Sequence, residues 1–317
     1  MLQPMLRGKY LIHIYFMKYW VRCGHKPPAP GPGRKSCPAL HPKAGDKITH
    51  WPYGKAMLSD EELDRYARHL VLREVGGPGQ TKIRNARVLI VGAGGLGNPA
   101  ALYLAAAGVG KLGLVDDDAV SLSNLQRQIL FRTADIGRAK VDAGTEALKA
   151  LNTGVQMQAH KLRLTAANAM EIIAGYDIVA DGSDNFATRF LLNDACFFAQ
   201  KPLVSAAVTE FEGQLATYKG YAPGCPCYRC LFAAPPPPGT APNCSETGVL
   251  GAAAGVMGAL QGLEVLKEIA GLGTGMAGKV LTYKALTAEF RAVRLPKDPA
   301  CALCGAQSAI RDLSGHP

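Results

Sequence analysis

The chain has 317 residues, 48% of them hydrophobic and 19% charged, enough to bury the core of one large or two small domains. Its net charge of +10 invites a nucleic-acid partner. Residues 1–56, however, hold ten Lys/Arg against one acid, a balance of +9 that leaves only +1 for residues 57–317. The basicity is an appendage, so neither a nucleic-acid-binding surface nor a membrane-spanning segment organises the folded part.

Residues 1–56 read as a basic, Pro/Gly-rich disordered extension. Its apolar run from Tyr10 to Val21 is broken by His13 and Lys18 and is too short to cross a bilayer. The segment reads either as a targeting sequence or as translation assigned from too early a start, and its composition favours a true beginning at Met57. Residues 57–305 then form one catalytic domain and residues 306–317 a C-terminal tail, in a cytoplasmic protein. "SDEE" is a capping box, with Ser59 as N-cap and Glu62 three positions on. Leu63, Tyr66, Ala67 and Leu70 continue it as a helix that "GGPGQ" (Gly76–Gln80) ends. The apolar run Val88–Val91 predicts a buried parallel strand running into glycines. Helices follow near 98–107, 139–151, 167–174 and 187–199, with strands near 112–115, 155–159, 178–180 and 203–205. This alternation predicts an α/β fold, a Rossmann-like doubly wound and mostly parallel sheet. "EGQLATYKG" predicts a first antiparallel strand. "APPPPGTAP" is a surface loop. A helix over 249–270, apolar nearly all round, is predicted to be buried. Two late strands, 280–283 and 288–293, continue the sheet.

Gly92, Gly94 and Gly97 fit G-x-G-x-x-G between a strand and a helix, so backbone N–H groups approach phosphate at a helix N-terminus. Asp116 ends the next strand, where a carboxylate accepts from a ribose hydroxyl. These residues alone suit a dinucleotide-dependent (NAD) oxidoreductase. Asn124, Arg127 and Lys140, with the carboxylates of "DGSDN" (Asp181–Asn185), add what a redox site has no use for. Cations and a carboxylate able to hold Mg²⁺ suit a departing pyrophosphate. Cys227-x-x-Cys230 and Cys301-x-x-Cys304 match a structural zinc site made of four cysteines. Cys225, a third thiol in "CPCYRC", is set aside because the Cys227/Cys230 spacing matches the second pair.

"VLIVGAGGLG", "LVDDDAVSLSNLQRQIL", "GRAK", "DGSDN", "CPCYRC" and "CALCG" together resemble the ThiF/MoeB/HesA family, relatives of the ubiquitin-activating enzymes. The resemblance is closest to the molybdopterin-synthase adenylyltransferase branch and runs from about Leu58 to Gly305. It implies ATP-dependent adenylation of the C-terminal glycine of a ubiquitin-like β-grasp sulphur carrier ending in Gly-Gly. The carriers of molybdenum cofactor and of thiamine biosynthesis both fit. The implied nucleotide site is Gly92, Gly94, Gly95, Gly97, Asp116, Asp118, Ser123, Asn124, Leu125, Gln126, Arg127, Lys140, Asp184 and Asn185. Within it Asn124, Arg127 and Lys140 line the phosphates, and Asp184 holds Mg²⁺. Arg68 resembles the arginine lent to a neighbouring subunit, which implies a homodimer. Cys244, placed where the buried helix starts, is a candidate for covalent attachment of the carrier. Since the sequence stops at Pro317 with no rhodanese-like region, sulphur is expected from a separate donor. A dinucleotide-dependent oxidoreductase and a non-catalytic nucleotide-binding scaffold are the rival readings.

Overall fold

A computed structural model describes residues 58–236 and 248–316. The extension 1–56 and Cys244 lie outside the described residues.

Helix α1 (Asp60–Arg65) starts at the expected capping box: Ser59 Oγ accepts from Glu62 N at 3.2 Å, and Glu62 returns the bond to Ser59 N at 2.7 Å. Two expectations fail here. The helix breaks at Tyr66 and resumes as the short α2 (Ala67–Leu70). "GGPGQ" then opens a helix rather than ending one, since α3 spans Gly76–Asn85. Proline is tolerated in a first turn, where its missing N–H has no intrahelical partner to lose.

Strand β1 (Arg87–Val91), helix α4 (Gly97–Ala106), strand β2 (Lys111–Val115), helix α5 (Lys140–Leu151) and strand β3 (Gln156–His160) make the first half of the parallel winding. Helix α6 (Ala169–Ala174), strand β4 (Ile178–Asp181), helix α7 (Phe186–Phe198) and strand β5 (Leu203–Thr209) make the second. Strand β6 (Glu212–Tyr218), helix α8 (Gly251–Ala270), strand β7 (Lys279–Lys284) and strand β8 (Glu289–Arg294) follow. The eight strands lie in the order β3-β2-β1-β4-β5-β6-β7-β8. β3 through β5 pair in parallel, and β5 through β8 are antiparallel. The mostly parallel sheet continued by antiparallel strands is therefore as expected.

Alternation along β1 explains the three layers. Val88 and Ile90 pack on one face with residues of α4, α5 and α8, and Leu89 and Val91 pack on the other with α6 and α7. A strand covered on both faces reads as one apolar run. β1 pairs with β2 on one side and β4 on the other, so the chain reverses its winding between β1 and β4. Crevices at such a switch point are where open α/β sheets bind ligands.

Helix α8 begins at Gly251, close to the expected start. As expected it is largely covered, with Ala253, Met257, Gln261 and Val265 among its buried residues and only Ala252 and Leu263 exposed. Leu263 is 52% exposed, and Tyr103 on the adjoining α4 is 58% exposed.

The C-terminal tail is docked against a buried carboxylate. Asp194, on α7, is fully buried and accepts from Arg229 Nη2 at 2.7 Å and Nε at 2.8 Å, and contacts His316 Nε2 at 2.7 Å. Removing one partner leaves buried charge uncompensated, at about 3–5 kcal/mol. Asp194→Ala is expected to lower the urea midpoint accordingly without changing the slope, and an unchanged midpoint would show the cluster to be energetically idle.

Candidate functional site

The turn after β1 is shaped by glycines at close quarters. Gly92 has φ +92°, and a Cβ at Gly97 would stand 1.9 Å from Gly92 O. No residue with a side chain fits there. Gly95 leaves room differently: a Cβ would press on Arg127 Cγ and Ala254 Cβ, both at 3.3 Å, so the Arg127 stem lies across the turn. Asn98 at the start of α4 ties the turn to the SLSNLQRQIL segment, its Nδ2 donating to Ala93 O at 2.9 Å and its Oδ1 accepting from Leu130 N at 3.1 Å. The glycine turn and the polar loop are thus one unit.

Around that unit an open cleft of about 740 Å³ gathers Gly92, Gly94, Gly95, Asp116, Asp118, Asn124, Arg127, Lys140, Asp184 and Asn185 among its lining residues. Gly97, Ser123, Leu125 and Gln126 are not among its lining residues. Asp116 accepts from Ala93 N at 2.8 Å and from Asp118 N at 2.9 Å. Burial pushes its carboxyl above the usual range, opposed by the Lys140 ammonium and these two backbone donors. Lys140, 5% exposed, reaches Asp118 at 2.7 Å and Asp116 at 3.6 Å, so its charge is held at the cleft by two carboxylates. Arg127 donates from Nη1 to Ser123 O at 3.0 Å. Arg68 is exposed on α2 and does not line this cleft.

The second half of the cleft is one face of the antiparallel sheet. Register places Thr209, Glu212 and Lys284 in one row, Ala207, Gln214 and Thr282 in the next, and Ser205, Ala216 and Val280 in a third. All nine line the cleft. The floor therefore runs from the nucleotide turn outward along an open, mostly small or polar track.

Between the halves lies a buried network that sequence reasoning missed. Asp181 accepts from Ser183 Oγ at 2.6 Å and Ser205 Oγ at 2.7 Å, and pairs with Arg189 at 3.4 Å. Arg189 also donates to Ser183 O. Asp181 is thus occupied, and Asp184, exposed one turn on, is the carboxylate free to face a ligand. An arginine just ahead of the largely apolar "FLLNDACFF" stretch of α7 was the available signal.

The four expected cysteines converge. Cys227 Sγ lies 3.5 Å from Cys301 Sγ and 4.0 Å from Cys230 Sγ, and Cys230 Sγ lies 3.4 Å from Cys304 Sγ. Four thiolates at ~2.3 Å from a tetrahedral ion sit roughly 3.8 Å apart, whereas a disulfide requires ~2.05 Å. The set fits a structural metal with no open position, and Cys225 is outside it. Hydrogen bonds from Cys227 and Cys304 draw the Cys230 thiol down, while Cys227 is pushed up by holding the proton in its bond with Cys230.

A model of the ThiF family matches residues 66–303. The chain belongs to the ThiF family. A relative in Bos taurus, the adenylyltransferase and sulfurtransferase MOCS3, is 51% identical over 263 residues, 83% of this ThiF chain and 57% of the relative. The chain thus spans little more than half the length of that relative. The sulfur carrier protein adenylyltransferase of Thermus thermophilus is 47% identical over 256 residues, 80% of this chain and 94% of the relative. Among solved structures, E. coli MccB superposes with a TM-score of 0.69 at 22% identity, covering 80% of this chain and 75% of that one. PaaA superposes at 0.66 with 23% identity, over 78% and 77%. These two confirm the ThiF fold. No helix among the described residues is long and apolar enough to cross a membrane.

Proposed function

We propose that this ThiF-family chain is an ATP-dependent adenylyltransferase acting on the C-terminal glycine carboxylate of a ubiquitin-like sulphur carrier, in the cytoplasm. The carrying observation is the cleft in which a glycine turn, Asp116, Arg127, Lys140 and Asp184 meet an open sheet track. The 47% identity to a sulfur carrier protein adenylyltransferase supports it.

The chemistry asks for alignment and charge, not for a base. A chain-terminal carboxyl has a pKa of roughly 3.3–3.7 and is an anion at pH 7. Lying along the β5–β7 track, its oxygen attacks the α-phosphorus. The new O–P bond forms as the bond to the β-phosphate oxygen breaks, and pyrophosphate leaves with the electron pair. Arg127, Asn124 and the backbone N–H groups of the glycine turn stabilise that leaving charge, and Lys140 neutralises the α-phosphate. Mg²⁺, for which Asp184 is the ligand, would supply further neutralisation of pyrophosphate when bound. None of the described histidines, His69, His160 and His316, lines the cleft, which agrees with a reaction that needs no general base. Zn²⁺ at Cys227, Cys230, Cys301 and Cys304 is structural and keeps the C-terminal segment on the domain.

ATP–pyrophosphate exchange that appears only when a carrier ending in Gly-Gly is added tests this reading. Tight binding of a nicotinamide dinucleotide with no exchange would replace it with the oxidoreductase alternative.

The working unit is a homodimer. Arg68 is exposed away from its own cleft, and the apolar residues Tyr103 and Leu263 stand exposed on two helices packed together. A face of this kind marks a protein interface. Mixing Arg68→Ala with Arg127→Ala protein is expected to restore part of the exchange activity that each variant lacks, because one of the two sites in the mixed dimer keeps both arginines. Absence of rescue would leave Arg68 with no role in its neighbour's site.

A further inference from the structure

Two buried side-chain atoms among the described residues have no hydrogen-bond partner, Oε1 of Gln128 and Oε1 of Gln261. They differ in setting. Gln261 is anchored through Nε2 to the carbonyls of Asp181 at 2.8 Å and Val204 at 3.0 Å, and it does not line the cleft. Gln128 does line the cleft, although it is only 3% exposed. Its backbone N donates to Asn124 O at 2.9 Å, which sets it one turn beyond Asn124 and beside Arg127.

A buried carbonyl oxygen left unpaired is costly, and native proteins resolve nearly all of them with a partner. What Gln128 lacks is a donor. Phosphate oxygens are acceptors, so the residues flanking Gln128 and Gln128 itself ask for different parts of a ligand. In a nucleoside triphosphate the donors are the ribose hydroxyls and any exocyclic amine on the base. The hydroxyls lie next to the α-phosphate and the amine at the far end. Gln128 adjoins the two residues assigned to the phosphates, which favours the nearer donor. We propose that Gln128 is a further nucleotide-binding residue, whose Oε1 accepts a hydrogen bond from a ribose hydroxyl. This rests on the reading of the cleft as a nucleoside-triphosphate site, and it adds a sugar contact to the one expected from Asp116.

The test is calorimetric titration of the full-length chain with ATP, 2′-deoxy-ATP and 3′-deoxy-ATP, repeated on Gln128→Met and Gln128→Glu. Methionine keeps the length and removes the acceptor, whereas glutamate keeps an acceptor. The wild type is expected to bind each of the two deoxynucleotides about tenfold more weakly than ATP, the worth of one hydrogen bond in a buried site, one hydroxyl being held by Asp116 and the other by Gln128. Gln128→Met is expected to bind ATP about tenfold more weakly and to lose the discrimination against one of the two, with a melting temperature without nucleotide that is unchanged or higher. Gln128→Glu is expected to keep the discrimination even where charge lowers overall affinity. Full discrimination of both deoxynucleotides by Gln128→Met would overturn the proposal. So would a fall in the nucleotide-free melting temperature with ATP affinity intact, the sign of an oxygen satisfied by structural water. Failure of the wild type to bind any of the three would instead count against the adenylation reading itself.

Discussion

Arg127→Ala is expected to lower carrier-dependent ATP–pyrophosphate exchange by about 10²–10³-fold while the protein stays folded, the cost of removing one oriented charge from a transition-state clamp. The fold is expected to survive because Arg127 is half-exposed and, among the described residues, its guanidinium donates to the backbone of its own loop, at Ser123 O. Asp184→Ala is expected to act with the same magnitude for a different reason. Asp181 cannot substitute, since Ser183, Ser205 and Arg189 already hold it. Asp184 is exposed, and its described contact is a long 3.4 Å bond from Asn185 Nδ2. Steady-state exchange assays with circular dichroism as the folding control check both. Near-normal exchange in the two variants would place the phosphate clamp elsewhere.

Cys301→Ala, or extraction of zinc by a strong chelator, is expected to lower the melting temperature by on the order of 10 °C and to expose the C-terminal segment to protease. Structural zinc sites contribute their binding energy directly to folding. Here the cluster buries Cys227, Cys301, Leu303 and Cys304 together, so unpairing the thiolates loosens residues 301–305 from the domain. The docked pair of Asp194 with His316 limits the loss to local undocking rather than collapse of the parallel sheet. Metal analysis is expected to return one zinc per chain in the wild type and none in the variant. An unchanged melting temperature after complete metal removal would mean that the four thiols are held by packing alone.

The sheet was legible because its central strands are covered on both faces. β1, β2, β4 and β5 read as short apolar runs between helices, and most of their end residues moved by only a position or two. "GGPGQ" misled because glycine and proline signal helix ends and helix first turns alike, and only the preceding turn at Leu72–Val75 decides which. The α8 reading held because a helix apolar nearly all round is covered on most of its surface, leaving only Ala252 and Leu263 exposed. Within the site, the residues that bond through backbone turns were readable from spacing, as with Gly92, Gly97 and Asp116. The Asp181–Arg189–Ser205 network joins three elements, and Gln128 is distinguished only by what it fails to bond. Neither property leaves a periodic trace in the sequence.

The central claim is that the cleft makes a carboxyl adenylate, and the most direct measurement is mass spectrometry of the carrier after incubation with the chain and ATP. The expected product is a carrier ending in Gly-Gly whose mass has increased by one adenylyl group, with an equal release of pyrophosphate, and with neither seen for the carrier lacking its terminal glycine. Hydrolysis of ATP with no adenylyl group on any such carrier would contradict it.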